Sequence, residues 1–167
     1  MDQDKDIAYM KLALEEAQKA FDLGEVPIGA ILVDEQGTVI SSGHNLRELC
    51  NDATAHAEMI VIRSACKKLG RWRLCGLTLY VTIEPCPMCA GALVMSRVDR
   101  VVYGSTDVKA GAAESIFNIV DNPALNHQLQ VTAGVLADTC ADIMKRFFTE
   151  RRKTRQKEVY KKHLPDN

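Results

Sequence analysis

Apolar residues return at spacings of three and four between residues 7 and 23. Ile7, Met10, Leu14, Ala17 and Phe21 fall on one stripe, which predicts an amphipathic helix. Acidic residues in the first turn suit the helix dipole, and Gly24 supplies a stop. The pattern then shortens. Val26 to Ala30 leads into Ile31-Leu32-Val33, a short apolar strand, and Asp34-Glu35-Gln36-Gly37 reads as a turn. Thr38 to Ser42 is a second strand, so the two predict a hairpin. A polar loop from Asn45 to Asp52 follows. Thr54 is placed to cap a helix that runs through Ile60, Val61, Ala65 and Leu69 to Gly70. Leu77 to Thr82 is a buried strand, rich in β-branched and aromatic residues. Pro87 opens a helix through Leu93, Val94 and Met95, at a position where its missing N–H costs nothing. Arg100 to Gly104 is another strand, and Asp107 to Ser115 is a glycine- and alanine-rich loop. Residues 116–128 carry turn signals, Gln130 to Ala133 is a last strand, and Asp138 begins a final helix with Ile143, Met144, Phe147 and Phe148.

Strands alternating with helices predict an α/β layered fold, a sheet with helices on both faces, and the hairpin makes that sheet mixed. No repeat, linker or low-complexity stretch divides the chain. Residues 1–154 are read as one domain, and 155–167 as a basic tail continuing the last helix.

Composition changes this picture in three places. The 167 residues, 47% hydrophobic and 26% charged, are those of one ordinary globular domain. No apolar run approaches the roughly 20 residues of a membrane span, and Met1 to Asp6 carries three aspartates without an apolar signal core, so a cytoplasmic protein is expected. Six cysteines suggest a disulfide framework, but two sit in a CxxC and Cys50, Cys66, Cys75 and Cys140 are scattered; reduced thiols are expected. Finally, the net charge of −1 hides an asymmetry. Residues 145–163 hold nine Lys/Arg against two Glu, a local +7, which leaves −8 on the remainder. A basic end on an acidic body suits a polyanionic partner, although a solvated helix end reads the same way.

The chemistry concentrates in two short stretches, Thr54-Ala55-His56-Ala57-Glu58 and Glu84-Pro85-Cys86-Pro87-Met88-Cys89. Imidazole and two thiolates suit zinc, and three protein ligands leave a fourth tetrahedral position open for water. A water on zinc loses a proton near pH 7, at about 7 rather than about 16. Glu58, two residues from His56, is placed to shuttle that proton without ligating. A structural zinc closed by Cys50 or Cys75 is the alternative, weakened by the lack of a second CxxC. Both halves fall at predicted helix starts. There the helix dipole disfavours protonation of His56, and the amides around Cys86 can polarise an attacking oxygen.

Other residues are less distinctive. Asn45 ends a strand or hydrogen-bonds a base or ribose. Phe147 and Phe148 lie about 100° apart on a helix, so one is expected in the core and the other available for stacking, beside Arg151 and Arg152. His44 and His127 lack metal spacing and read as structural, His163 is uninformative, and Trp72 is expected to be a partly buried anchor.

H-x-E followed by P-C-x-x-C is the signature of zinc deaminases acting on nucleobases. The likeness extends through Glu25-Val26-Pro27-Ile28-Gly29-Ala30, Thr78-Leu79-Tyr80-Val81-Thr82, Val101-Val102-Tyr103-Gly104, Lys109-Ala110-Gly111-Ala112, Leu125-Asn126-His127, Gly134-Val135-Leu136 and Phe147-Phe148 with Arg151-Arg152. Over nearly its whole length, to about residue 154, the chain resembles the bacterial tRNA-specific adenosine deaminases. The resemblance implies a cytidine-deaminase-like three-layer α/β/α fold with a central mixed five-stranded sheet. It implies a homodimer with one zinc ion per subunit. The implied activity is hydrolytic conversion of adenosine to inosine at the wobble position, 34, of the arginine tRNA with anticodon ACG. Carried over, His56, Cys86 and Cys89 match the zinc ligands, Glu58 the proton shuttle and Asn45 a contact to the flipped nucleotide. Val26, Ala57 and Pro85 complete the implied substrate pocket. Asp107, Lys109, Phe147, Phe148 and Arg151 fall where that family approaches the anticodon stem-loop. Two competing readings share these motifs: a free guanine or cytosine deaminase, and a zinc-stapled RNA-binding module without turnover.

Overall fold

The protein is described from a computed structural model covering residues 3–162, with side chains as far as Arg155. The expected tail therefore falls partly outside the described residues, as do Met1, Asp2 and His163. Helix α1 (Gln3–Asp22) precedes the hairpin of β1 (Gly29–Asp34) and β2 (Val39–His44). A short α2 (Arg47–Cys50) and then α3 (Ala57–Leu69) lead to β3 (Leu77–Ile83), α4 (Pro87–Ser96) and β4 (Arg100–Ser105). After a long irregular stretch come β5 (Gln130–Thr132) and α5 (Ala137–Lys162), whose backbone continues without a break into the basic segment.

The five strands form one sheet in the order β2-β1-β3-β4-β5. β1 pairs antiparallel with β2 and β3, while β3–β4 and β4–β5 are parallel. The sheet is mixed, as the hairpin predicts, and has the five strands that the resemblance implies. Alternation along the strands sorts the core into two layers. Ala30, Leu32, Leu77, Leu79, Val81, Val101 and Tyr103 face α3 and α4 in the larger apolar cluster. Ile31, Val33, Tyr80 and Val102 face the other way, onto Met10 and Ala13 of α1 and Cys140 of α5.

The strands also fix where the helices begin. Parallel β3–β4 pairing requires a crossover, and α4 supplies it, starting directly above the end of β3. Cys86 is its N-cap residue and Pro87 occupies the first turn. His56 is the N-cap residue of α3, whose far end is closed by Gly70 in the left-handed region (φ 64°).

Several local expectations are corrected. The buried face of α1 is rotated from the predicted stripe: Asp6, Ala13, Glu16 and Ala20 join Met10 and Ala17 inside, while Ile7, Leu14 and Phe21 are only half-buried. Small residues explain this. A Cβ on Gly29 would collide with the backbone at Ala13 and Ala17, so α1 and β1 touch almost backbone to backbone. Thr54 does not cap α3; its hydroxyl donates to Asp52 Oδ1 (2.7 Å). The expected loop after Asn45 contains α2. Trp72, expected to be a partly buried anchor, is 55% exposed and carries the Arg73 guanidinium over its ring at 4.3 Å.

Candidate metal centre

The two chemical stretches meet because α3 and α4 pack on the same face of the sheet with their N-termini at the same end. Nδ1 of His56 lies 3.6 Å from the sulfur of Cys86 and 3.6 Å from that of Cys89. All three donor atoms fall within 4.8 Å of one another, the one such cluster of metal-capable side chains among the described residues. A tetrahedral zinc with sulfur at about 2.3 Å and nitrogen at about 2.0–2.1 Å separates a nitrogen from a sulfur donor by about 3.5–3.6 Å. The two histidine–cysteine spacings therefore fit a zinc ion. Cys50 and Cys75 are exposed and outside the cluster, so no fourth cysteine closes it.

Electrostatics agree with a cation site. The hydrogen bond from Cys89 brings the Cys86 thiol down to about 4, against burial, with His56 adding to the fall. Cys89 is pushed far up by that same bond and by burial. His56 is raised, chiefly by its bond to Cys86 and against desolvation. The helix dipole alone predicts a neutral imidazole; the adjacent sulfur outweighs it. Thiolate and neutral imidazole are the forms that bind metal, so a divalent ion would replace the shared protons.

Glu58 is 4% exposed. Desolvation is the main reason its carboxyl rises to about 7, the Cys86 sulfur adding to the rise and His56 opposing it. Ala57 and Pro85 are buried around this point and Val26 is half-buried. Asn45 is buried too, and its backbone N–H donates to Ile28 O (3.0 Å).

Of the five residues expected to approach RNA, Lys109, Phe148 and Arg151 line one groove. A groove of about 940 Å³ runs between the 107–115 loop and α5, lined by Val108 and Lys109 on one side and by residues including Phe148, Arg151 and Arg152 on the other. Phe147 is buried (5% exposed) edge-on to Phe21, whereas Phe148 is 42% exposed; one phenylalanine is core and the other available, as the helical spacing predicts. Arg151 lies over the Phe147 ring at 5.7 Å. Asp107 turns inward, its carboxylate accepting the N–H groups of Lys109 and Ala110. His44 bonds Glu16 (2.7 Å) and His127 bonds Val98 O (2.7 Å), both structural roles.

Two acids were not singled out from the sequence. Glu25, 1% exposed, accepts the Leu49 N–H (2.7 Å) and the Asn45 side-chain amide (3.4 Å), tying Asn45 to α2. Glu84, 2% exposed, is ringed by amides of the 107–115 loop. An acid wedged between an apolar strand and a proline was the available signal in the second case.

Fold and site together define a deaminase, an enzyme of a fold whose deaminases are hydrolases. Residues 3–152 match the family described as MafB19-like deaminase. The tRNA-specific adenosine deaminase of Bacillus subtilis (strain 168) is 51% identical over 97% of this chain and 99% of its own length. The Haemophilus influenzae protein of the same description is 47% identical over 90% of this chain and 87% of its own. A solved structure from work on A-to-I editing by tRNA:A34 deaminases at the wobble position superposes with a TM-score of 0.78. It is 46% identical and covers 81% of this chain and 98% of that one. This chain belongs to the family of tRNA-specific adenosine deaminases.

Proposed function

We propose that the protein deaminates adenosine to inosine at the wobble position, 34, of a tRNA anticodon loop, with the arginine tRNA of anticodon ACG as its substrate. The observation that carries this reading is the basic, partly aromatic groove between the 107–115 loop and α5. A free base has no phosphates for Lys109, Arg151 and Arg152 to hold. An anticodon loop offers both phosphates and unpaired bases for stacking on Phe148. Flipping is also least costly for a nucleotide that is already unpaired.

His56, Cys86 and Cys89 would hold one zinc ion per chain, which supplies a water acidic enough to react at neutral pH. Glu58 would take a proton from the attacking water and deliver it to the ring nitrogen beside the carbon bearing the amino group. It then takes the proton left on the added oxygen and passes it to the departing amine, so one carboxylate serves twice as base and twice as acid. The water oxygen stays on the ring carbon and ammonia leaves, giving inosine. Asn45, held by Glu25, contacts the flipped nucleotide. Val26, Ala57 and Pro85 shape its pocket, and Asp107 braces the loop that carries Lys109. We take residues 1–154 as the deaminase domain and 155–167 as its basic extension. The protein works as a cytoplasmic homodimer; among the described residues no helix is long and apolar enough to cross a membrane.

The test is a deamination assay with metal-analysed protein, offering a stem-loop with adenosine at the wobble position beside free adenosine, adenine, guanine and cytosine. Inosine in the RNA alone is the expected result. Turnover of a free base with an untouched stem-loop would move the chain to base salvage. RNA binding should weaken with salt, the logarithmic slope being about −0.7 per phosphate contact. Light scattering should give twice the chain mass of 18.5 kDa.

A further inference from the structure

Five donors converge on one buried carboxylate that the chemistry above does not use. Oε1 of Glu84 accepts the backbone N–H groups of Ala113 (3.1 Å), Glu114 (2.8 Å) and Ser115 (2.9 Å). Oε2 accepts the N–H of Asp107 (3.0 Å) and the Ser115 hydroxyl. The residue is anchored on its own side as well. Its N–H donates to Ser105 O at the end of β4 (2.9 Å), and the next carbonyl, that of Pro85, accepts the Ala112 N–H (2.8 Å). Gly111 is part of the same arrangement, since a Cβ there would strike Glu84 Oε2 and the Asp107 carbonyl.

The loop is thus folded around a single negative charge, with its amides pointing in. What points out is Val108, 74% exposed, and Lys109, which form one wall of the groove against α5. The charge sits two residues before Cys86, so the wall and the metal-ligating turn share one strand end.

Building on the RNA reading, we propose that Glu84 is a positioning residue for RNA recognition. Its carboxylate shapes residues 107–115 so that Val108 and Lys109 stand at a fixed place relative to the metal triad. Geometry explains why an acid is needed. Both oxygens accept, three bonds on one and two on the other. Glutamine keeps the size but offers one oxygen, and its amide N–H₂ would face either two donors or three. Val108 and Lys109 touch the RNA in this scheme; Glu84 acts through them.

The experiment uses the full-length, zinc-loaded protein and its Glu84→Gln, Ser115→Ala and Gly111→Ala variants. Each is measured for zinc content, for amide hydrogen exchange across 107–115, and for steady-state kinetics on the wobble-adenosine stem-loop. Glu84→Gln should keep its zinc, exchange faster in 107–115, and raise KM about tenfold while kcat falls less than about threefold. Gly111→Ala should reproduce that split with the carboxylate intact, and Ser115→Ala should move the same way by less. An unchanged KM in a folded, zinc-bearing Glu84→Gln protein overturns the proposal, and so does a raised KM without faster exchange in the loop. Should Glu84→Gln not fold, an unchanged KM in both other variants overturns it. Failure of the wild-type protein itself to turn over the stem-loop sinks the RNA reading instead, an outcome separable from the others.

Discussion

On the face of the sheet under α3 and α4, the contacts with the strands are almost wholly apolar, a continuous layer of valine, leucine and alanine. On the opposite face the apolar cluster is smaller and two charge networks stand beside it. Asp6 takes two hydrogen bonds from Arg100 (2.9 and 2.7 Å) and one from the Tyr80 hydroxyl (2.9 Å). Glu16 is clasped by His44 (2.7 Å) and Lys19 (2.6 Å). The dry face carries both helix N-termini of the metal site. Its buried acid Glu58 is the proposed proton shuttle. The other face holds α1 to the sheet partly through paired charges, whose loss leaves a partner stranded. Buried acids therefore mean different things on the two sides.

The sharpest way to break that distinction is Glu58→Gln. Deamination should fall by roughly 10²–10⁴ with zinc content and melting temperature held; retained turnover would place the proton shuttle elsewhere. Asp6→Asn should do the reverse. Denaturant unfolding should show a loss of about 3 kcal/mol, because the half-buried Arg100 is left without its anion, while activity per folded molecule is kept. Between these lies Phe148→Ala, which should weaken stem-loop binding by about 1–3 kcal/mol and leave stability nearly unchanged. Its neighbour Phe147→Ala should instead destabilise the fold by about 3 kcal/mol.

The smallest effect is acid sensitivity. Burial raises the carboxyls of Asp6 and Glu16, but the hydrogen bonds from Arg100 and Tyr80, and from Lys19 and His44, outweigh it and hold both below their usual range. A depressed folded pKa contributes stability above the unfolded value of about 4, lost as pH falls through the folded one. Glu16→Gln should flatten the pH–stability curve below about pH 4; an unchanged curve would mean this clasp contributes nothing.

The sequence announces the dry face better than the charged one. β3 and α4 are legible because Leu77 to Ile83 is continuously strand-forming and Pro87 marks a helix start. His56, Cys86 and Cys89, with Glu58 beside them, are legible because a metal-capable cluster needs particular side chains at short spacings. α1 is misread in its facing, since periodicity counts Ile7 and Leu14 as inside and Asp6 and Glu16 as outside. Only tertiary partners far along the chain, Arg100 and His44, reverse that. Glu84 is overlooked for a related reason: its donors are backbone amides, which carry no sequence signal.

β3 pairs with β1 on one side and β4 on the other, and it runs straight on to Glu84 and Cys86. A one-residue insertion or deletion within β3 would turn Leu77, Leu79 and Val81 to the wrong face. It would also shift Glu84 away from its loop and Cys86 away from His56. The interval from 77 to 89 therefore tolerates no change of length. Gains and losses of residues in related chains belong in 116–129, where no strand or helix counts them.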